Sequence, residues 1–226
     1  MNVFLPPVEA KNTIPMYREF IRLGFEQLGC QVLSDLRQPA KSPLMAVDIC
    51  DTERRRVWWD YSDFGIPTDG AGTPCLKIEL RKADAGLPGL LPIGQVVPGV
   101  LTAHLPAILS VPRSGQTDVY CVMRVTNYDD RVRCIDAIRA GGWKSVTGLT
   151  GREGRPPVPG RIALPRKYPQ LDNYHMQRAA KICVAAQGIG EKTWRHMETL
   201  AVGSCLVMPE TDVIWPAPLD ECAVIC

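Results

Sequence analysis

Apolar residues follow a helical rhythm most clearly between residues 14 and 28. Ile14, Tyr17, Phe20, Ile21, Gly24, Phe25 and Leu28 fall at i, i+3, i+4 and i+7. Thr13 suits the N-cap of that helix, Pro15 its first turn and Gly29 its stop. Around it the apolar runs are short and strand-like: Asn2 to Leu5, Cys30 to Leu33, Leu44 to Ile49, Val57 to Trp59 and Cys75 to Leu80. The second half repeats the alternation. Strands are predicted at Asp118 to Val125, Trp143 to Thr147, Ile182 to Ala186 and Cys205 to Met208, with a last apolar run from Asp220 to Cys226. Helices are predicted from about Asp130 to Ala140, Leu171 to Lys181 and Glu191 to Val202. Strands and helices alternating with short crossovers imply an α/β fold, with mostly parallel sheets covered by helices on both faces. The grammar places a boundary between two such units at residues 105–106, giving an N-terminal unit over 1–105 and a C-terminal unit over 106–226.

A chain of 226 residues is long enough for one large or two small domains without a metal or disulfide staple. Twenty prolines and 19 glycines spread along it argue for many turns and against a helical bundle. A formal charge of +2 creates no global basic field, which disfavours a protein that coats nucleic acid. Nine cysteines occur without any C-x-x-C. Cys30, Cys50, Cys121, Cys183, Cys205 and Cys222 sit among apolar neighbours, as small core residues do, and a reducing cytoplasm is the matching compartment. The N-terminus lacks the basic and apolar regions of a signal peptide. From Ala85 to Pro112 no Asp, Glu, Lys or Arg occurs. Pro88, Pro92, Pro98 and Pro106 within that stretch would leave backbone groups unbonded in lipid, so it reads as a buried interdomain passage with no transmembrane segment.

The window from Ile182 to Glu210 carries the most chemistry. A buried strand ends at Gly188-Ile189-Gly190, and a helix opens directly after it. Glycines there let a ligand approach the backbone, and helix N–H groups favour an anion. The alternative is a tight turn with no ligand, because the third glycine of the dinucleotide fingerprint is missing. Glu191, Arg195 and Glu198 share one stripe of the helix. They form either a surface ion-pair ladder or, with Glu198 beside an apolar Thr-Leu-Ala-Val run, a carboxylate set against a ligand hydroxyl.

Glu198-Thr-Leu-Ala-Val-Gly203, followed by Cys205-Leu-Val-Met-Pro209, resembles a pattern of the C-terminal domain of GT-B-fold glycosyltransferases of the glycosyl transferase group 1 type. The likeness covers about residues 117 to 210. Tyr168-Pro169-x-Leu171, Lys181, Arg124 and Thr126 fit the same domain. The resemblance implies two Rossmann-like parallel-sheet units, the second shortened at its C-terminus. It implies transfer of a sugar from a nucleotide-sugar donor without metal or other cofactor, to an acceptor that is a glycan, lipid, protein or nucleic-acid base. Glu198 takes the role of binding the donor ribose. The family's second glutamate falls on Gly190, with Glu191 one residue later, so Glu191 and Arg195 are the catalytic candidates. Gly188, Gly190, Arg124, Thr126 and Lys192 are the remaining donor-binding candidates, with His196 a further cation at suitable pH. The rival implication is a non-catalytic GT-B-like protein that binds a nucleotide or glycan.

Weaker constellations remain. Trp58-Trp59-Asp60-Tyr61-Ser62-Asp63 offers Asp60 or Asp63 as an acceptor-side base, or only strand-end packing. Arg152, Arg155, Arg161, Arg166 and Lys167 make the 148–170 loop basic, facing either phosphates or water. Asp129-Asp130 reads as a helix cap. His104, His175 and His196 are not spaced as metal ligands.

Overall fold

The computed structural model describes residues 1–9, 15–34, 44–61, 74–95, 97, 99–124, 126, 128–151, 158, 160, 162–164, 168–188, 191–219 and 223–225, the side chains of Leu44 and Tyr128 excepted. The chain forms two compact units: Met1–Val96 with Asp212–Pro216, and Val97–Thr211 with Ala217–Cys226. The expected boundary at 105–106 therefore falls inside the second unit, within a helix that the proline-rich sequence disguised. No helix among the described residues is long and apolar enough to cross a membrane.

The first unit is built from β1 (Asn2–Leu5), α1 (Pro15–Gln27), β2 (Gln31–Ser34), β3 (Leu44–Cys50), β4 (Arg54–Asp60), β5 (Cys75–Lys77) and β6 (Leu90–Pro92). Its six-stranded sheet has the order β2-β1-β3-β4-β5-β6. Three pairings are parallel, while β3 runs antiparallel to both β1 and β4. The reason lies in three residues. Only Asp51, Thr52 and Glu53 separate β3 from β4, too few for a parallel crossover, and the Asp51 carboxylate closes the turn by accepting the N–H of Thr52 at 2.7 Å. The helix α1 buries Tyr17 and Ile21 against Val3, Leu5, Met45, Val47 and Ile78. Burial of each large side chain contributes roughly 1.5–3 kcal/mol. Gly29 ends the helix with φ of +75°, a conformation that glycine adopts without strain.

The second unit comprises α2 (Gly99–Ser110), β7 (Thr117–Arg124), α3 (Tyr128–Ala140), β8 (Ser145–Thr150), α4 (Gln170–Ala179), β9 (Ala180–Val184), α5 (Trp194–Ala201), β10 (Cys205–Met208) and β11 (Ala223–Ile225). Its five strands are all parallel, in the order β11-β10-β9-β7-β8. Alternation along β7 distributes its side chains between the two faces. Val119, Cys121 and Met123 pack with Val132, Ile135 and Ile138 of α3, whereas Tyr120 and Val122 pack on the other face with Met176 of α4. Helix α2 supplies Leu101 and Ile108 to a cluster with Tyr174 and Val202. Pro106 is tolerated in it because it lies on the exposed side, where water can replace the lost backbone bond. The whole is an α/β chain with two mostly parallel sheets, compatible with Rossmann-like units.

Candidate functional site

The strand order of the second unit creates a crevice. From β7 the chain crosses to β8 on one side and then returns to β9 on the other, so the sheet reverses direction between β7 and β9. In open α/β sheets ligands bind at the carboxyl ends of strands at such a reversal. Here the two strands part there. β7 stays paired with β8 out to Arg124–Thr150, but its register with β9 ends at Tyr120–Cys183. Beyond that point β9 follows β10, with the Ala185 N–H donating to the Val207 carbonyl at 2.9 Å.

Two arginines enter this gap from opposite faces of the sheet. Arg131 of α3 is 6% exposed and spans the gap. Its Nη1 donates to the Arg124 carbonyl at the end of β7, its Nε to the Gln187 carbonyl at 2.8 Å and its Nη2 to the Ala186 carbonyl at 3.4 Å. Among the described residues every hydrogen-bond partner of Arg131 is a carbonyl. Burial, together with the nearby Arg195 charge, pushes its pKa down to about 10. Arg195 of α5 comes from the face that carries Tyr120, with its guanidinium 5.8 Å from that ring's centre. Its Nη2 donates to the Val122 carbonyl at 3.1 Å, and its Nη1 lies 3.3 Å from Glu198 Oε2. The Nε of Arg195 and the Oγ1 of Thr126 are buried without a hydrogen-bond partner among the described residues.

Glu198 is buried in the second turn of α5, where it receives the Tyr174 hydroxyl at 3.2 Å on Oε1. Tyr174 is in turn held by Gln170 at 2.7 Å. The start of α5 is fixed by a reciprocal cap. The Thr193 N–H donates to His196 Nδ1 at 3.0 Å, and the Thr193 hydroxyl lies 2.9 Å from the same nitrogen. His196 has no solvent exposure, and burial pushes its pKa down to about 4, so the ring is neutral at ordinary pH. It is a capping residue, not the cation expected from sequence. Among the described residues, Arg131 and Arg195 thus bring two guanidinium groups to the gap, and Glu198 pairs with the second of them.

The other expected site residues distribute as follows. Gly188 is described at the end of the β9 segment, while Gly190 lies outside the described residues. Glu191 is half-buried and Lys192 is 2% exposed, both just ahead of α5. Arg124 is exposed and lines a cavity of about 500 Å³ with Thr150, Gly151, Val158 and Leu164, on the β8 side of β7. In the first unit Asp60 is 2% exposed and receives the Lys77 ammonium at 3.0 Å, a buried pair and not an open carboxylate. Asp63 and the basic cluster Arg152, Arg155, Arg161, Arg166 and Lys167 lie outside the described residues. Asp129 and Asp130 lie inside the first turn of α3, one and two residues past its first residue, where they complement the helix dipole and do not occupy the N-cap expected from sequence. Among the described residues no three His, Cys, Asp or Glu side chains converge as metal ligands would.

Sequence reasoning missed Arg131, Tyr120 and Tyr174. The signal for Arg131 was present: it shares an i, i+4, i+7 stripe with Ile135 and Ile138, and a cation on the apolar stripe of a helix must find buried acceptors. Compared with known proteins, the chain matches no family model and no curated sequence.

Proposed function

We propose that the second unit binds the diphosphate of a nucleotide sugar in the β7–β9 crevice, and that the chain is a metal-independent glycosyltransferase. The observation that carries this reading is the convergence of Arg131 and Arg195 on the crevice with Glu198 as the carboxylate between α4 and α5. A buried excess of positive charge is relieved by an anion, and the unbonded Arg195 Nε and Thr126 Oγ1 are donors such an anion would use. Transfer from a nucleotide sugar passes through an oxocarbenium-like state as the diphosphate leaves, so fixed guanidinium groups lower the barrier by stabilising the developing oxyanion. A carboxylate has about four acceptor positions. Glu198 uses two of them on Tyr174 and Arg195 and keeps capacity for a ribose hydroxyl. In this reading Gly188, Gly190, Lys192 and Arg124 border the donor, and Glu191 meets its sugar.

The test is calorimetric titration with UDP, GDP and ADP in EDTA, for the parent and for Arg195→Met, beside their melting curves. Loss of a charge-assisted hydrogen bond of about 1.5–3 kcal/mol predicts a fall in affinity of roughly 10- to 150-fold. Equal affinities in parent and variant, or parental binding abolished by EDTA, would overturn the reading. Gly190, which stands where the resembled family has the glutamate that meets the donor sugar, favours one second reading, nucleotide or glycan binding without transfer. Binding with no release of nucleoside diphosphate from the matching nucleotide sugar, across glycan, lipid, protein and nucleic-acid acceptors, selects it.

A further inference from the structure

On the α3 face of the second unit, two cysteines meet near Arg131. Cys121 lies in the middle of β7 with no solvent exposure. Cys134 lies on α3, half-buried, packed against the same apolar cluster. The two thiols are hydrogen-bonded to each other. A cavity of about 440 Å³ runs along this face between α3 and the ends of β9 and β10, and Cys134 lines it together with Asp130, Val184, Gln187, Met208 and Pro209. One sulfur of the pair thus faces a space that a small molecule can enter, and the other sits directly behind it.

We propose that Cys134 and Cys121 form a redox-active thiol pair, in which a hydroperoxide reaching Cys134 through this cavity oxidises it and Cys121 then closes a disulfide between α3 and β7. In the first step the Cys134 thiolate attacks one peroxide oxygen and the O–O bond breaks. The sulfur is oxidised to a sulfenic acid, and the hydroxide or alkoxide that leaves takes up the thiol proton to become water or alcohol. In the second step the Cys121 sulfur attacks the Cys134 sulfur. The S–S bond forms, the S–O bond breaks, and water leaves with the Cys121 proton.

The surroundings assign the two roles. The thiol of Cys121, then the Arg131 guanidinium one turn earlier on α3, hold the Cys134 thiol below its ordinary value. The hydrogen bond to Cys134 and burial push Cys121 well above it. The thiolate is the nucleophile toward peroxide, so Cys134 reacts first and Cys121 resolves. Cys75 and Cys183 differ: burial pushes the first up to about 11 and raises the second.

The sequence makes the product easy to read. Cleavage after arginine puts Cys121 alone in peptide 114–124 and Cys134 alone in peptide 134–139. The native protein is treated with hydrogen peroxide, quenched with N-ethylmaleimide, digested without reductant and analysed by mass spectrometry. The expected result is a linked 114–124/134–139 species that dithiothreitol removes, formed at least about tenfold faster than any oxidation of half-buried Cys50. In Cys121→Ser, dimedone should label Cys134 as a persistent sulfenic acid, and Cys134→Ser should yield no linked species. Oxidation of Cys134 no faster than Cys50, or oxidation that ends in a sulfinic acid or another partner in the parent protein, overturns the proposal. The parental linkage alone decides, so a variant that fails to fold does not leave the question open.

Discussion

Replacing His196 with glutamine should flatten the acid limb of the protein's stability curve. His196 is fully buried at the N-terminus of α5, where its Nδ1 accepts the Thr193 N–H at 3.0 Å. Burial lowers its pKa from 6.5 to about 4. Between those values the unfolded chain binds a proton that the folded protein refuses. Unfolding therefore takes up a proton, and stability present above pH 6.5 is lost progressively as pH falls toward 4. At 1.36 kcal/mol per pKa unit, the full effect is roughly 3 kcal/mol, of which about 2 kcal/mol is already lost at pH 5. Glutamine keeps an acceptor for Thr193 but binds no proton. Urea titrations followed by circular dichroism at pH 7.5, 6 and 5 measure the difference between parent and His196→Gln. The carboxylates are common to both proteins, so they cancel in that difference. The gap should change by about 2 kcal/mol from pH 7.5 to 5, with the parent falling faster. Curves that run parallel over this range would refute the neutral, capping role.

Two further substitutions probe the frame. Asp60→Ala removes the carboxylate that the buried Lys77 ammonium donates to and should cost about 3–5 kcal/mol in urea unfolding, whereas Asp60→Leu combined with Lys77→Met should recover most of it. A single mutant within 1 kcal/mol of the parent, taken as roughly the scale of an exposed pair, rejects the buried-pair description. Gly203 closes α5 with φ of +68°, so Gly203→Ala should lower stability by roughly 1–2 kcal/mol. The Arg178 Nη1 atom that a methyl would meet at 2.8 Å is the end of a flexible side chain and can move aside, so an unchanged melting temperature counts against the left-handed turn itself.

Elements with a clean period were legible in the sequence. The strands Asn2–Leu5 and Cys205–Met208 lie where the apolar runs place them, and α1 follows its i, i+4 stripe from Pro15 to Gln27. Helix α2 was not legible, because Pro106 and a run without charge look the same in a helix and in an irregular passage until Leu101 and Ile108 are seen to share a core. The antiparallel β3–β4 pair was hidden for another reason. Strand period is the same in both orientations, and only the three-residue Asp51–Glu53 link distinguishes them. Within the site, helical spacing correctly paired Arg195 with Glu198, which form an ion pair on α5, but Glu191 does not share their stripe because the helix begins only at Trp194, after the Thr193 cap. That Arg195 would stack on Tyr120 and reach the Val122 carbonyl was not visible, since those contacts join residues more than seventy positions apart.

The position of Arg131 has an energetic meaning that its hydrogen bonds alone do not account for. Three carbonyls receive its donors, so its geometry is satisfied. Its charge is not: a pKa moved from 12.5 to about 10 corresponds to roughly 3 kcal/mol set against the charged form in the folded state. A purely structural bridge between the ends of β7 and β9 needs donors but no charge, and a neutral amide supplies donors without that penalty. Keeping a guanidinium there holds unneutralised charge at the reversal of the sheet, facing a second guanidinium from the other face. Any anion that entered the crevice would find both groups already oriented and would lower the cost of each, so its binding and the stability of the unit would rise together. Under the proposed function, the energy that burial sets against Arg131 is regained when the diphosphate arrives.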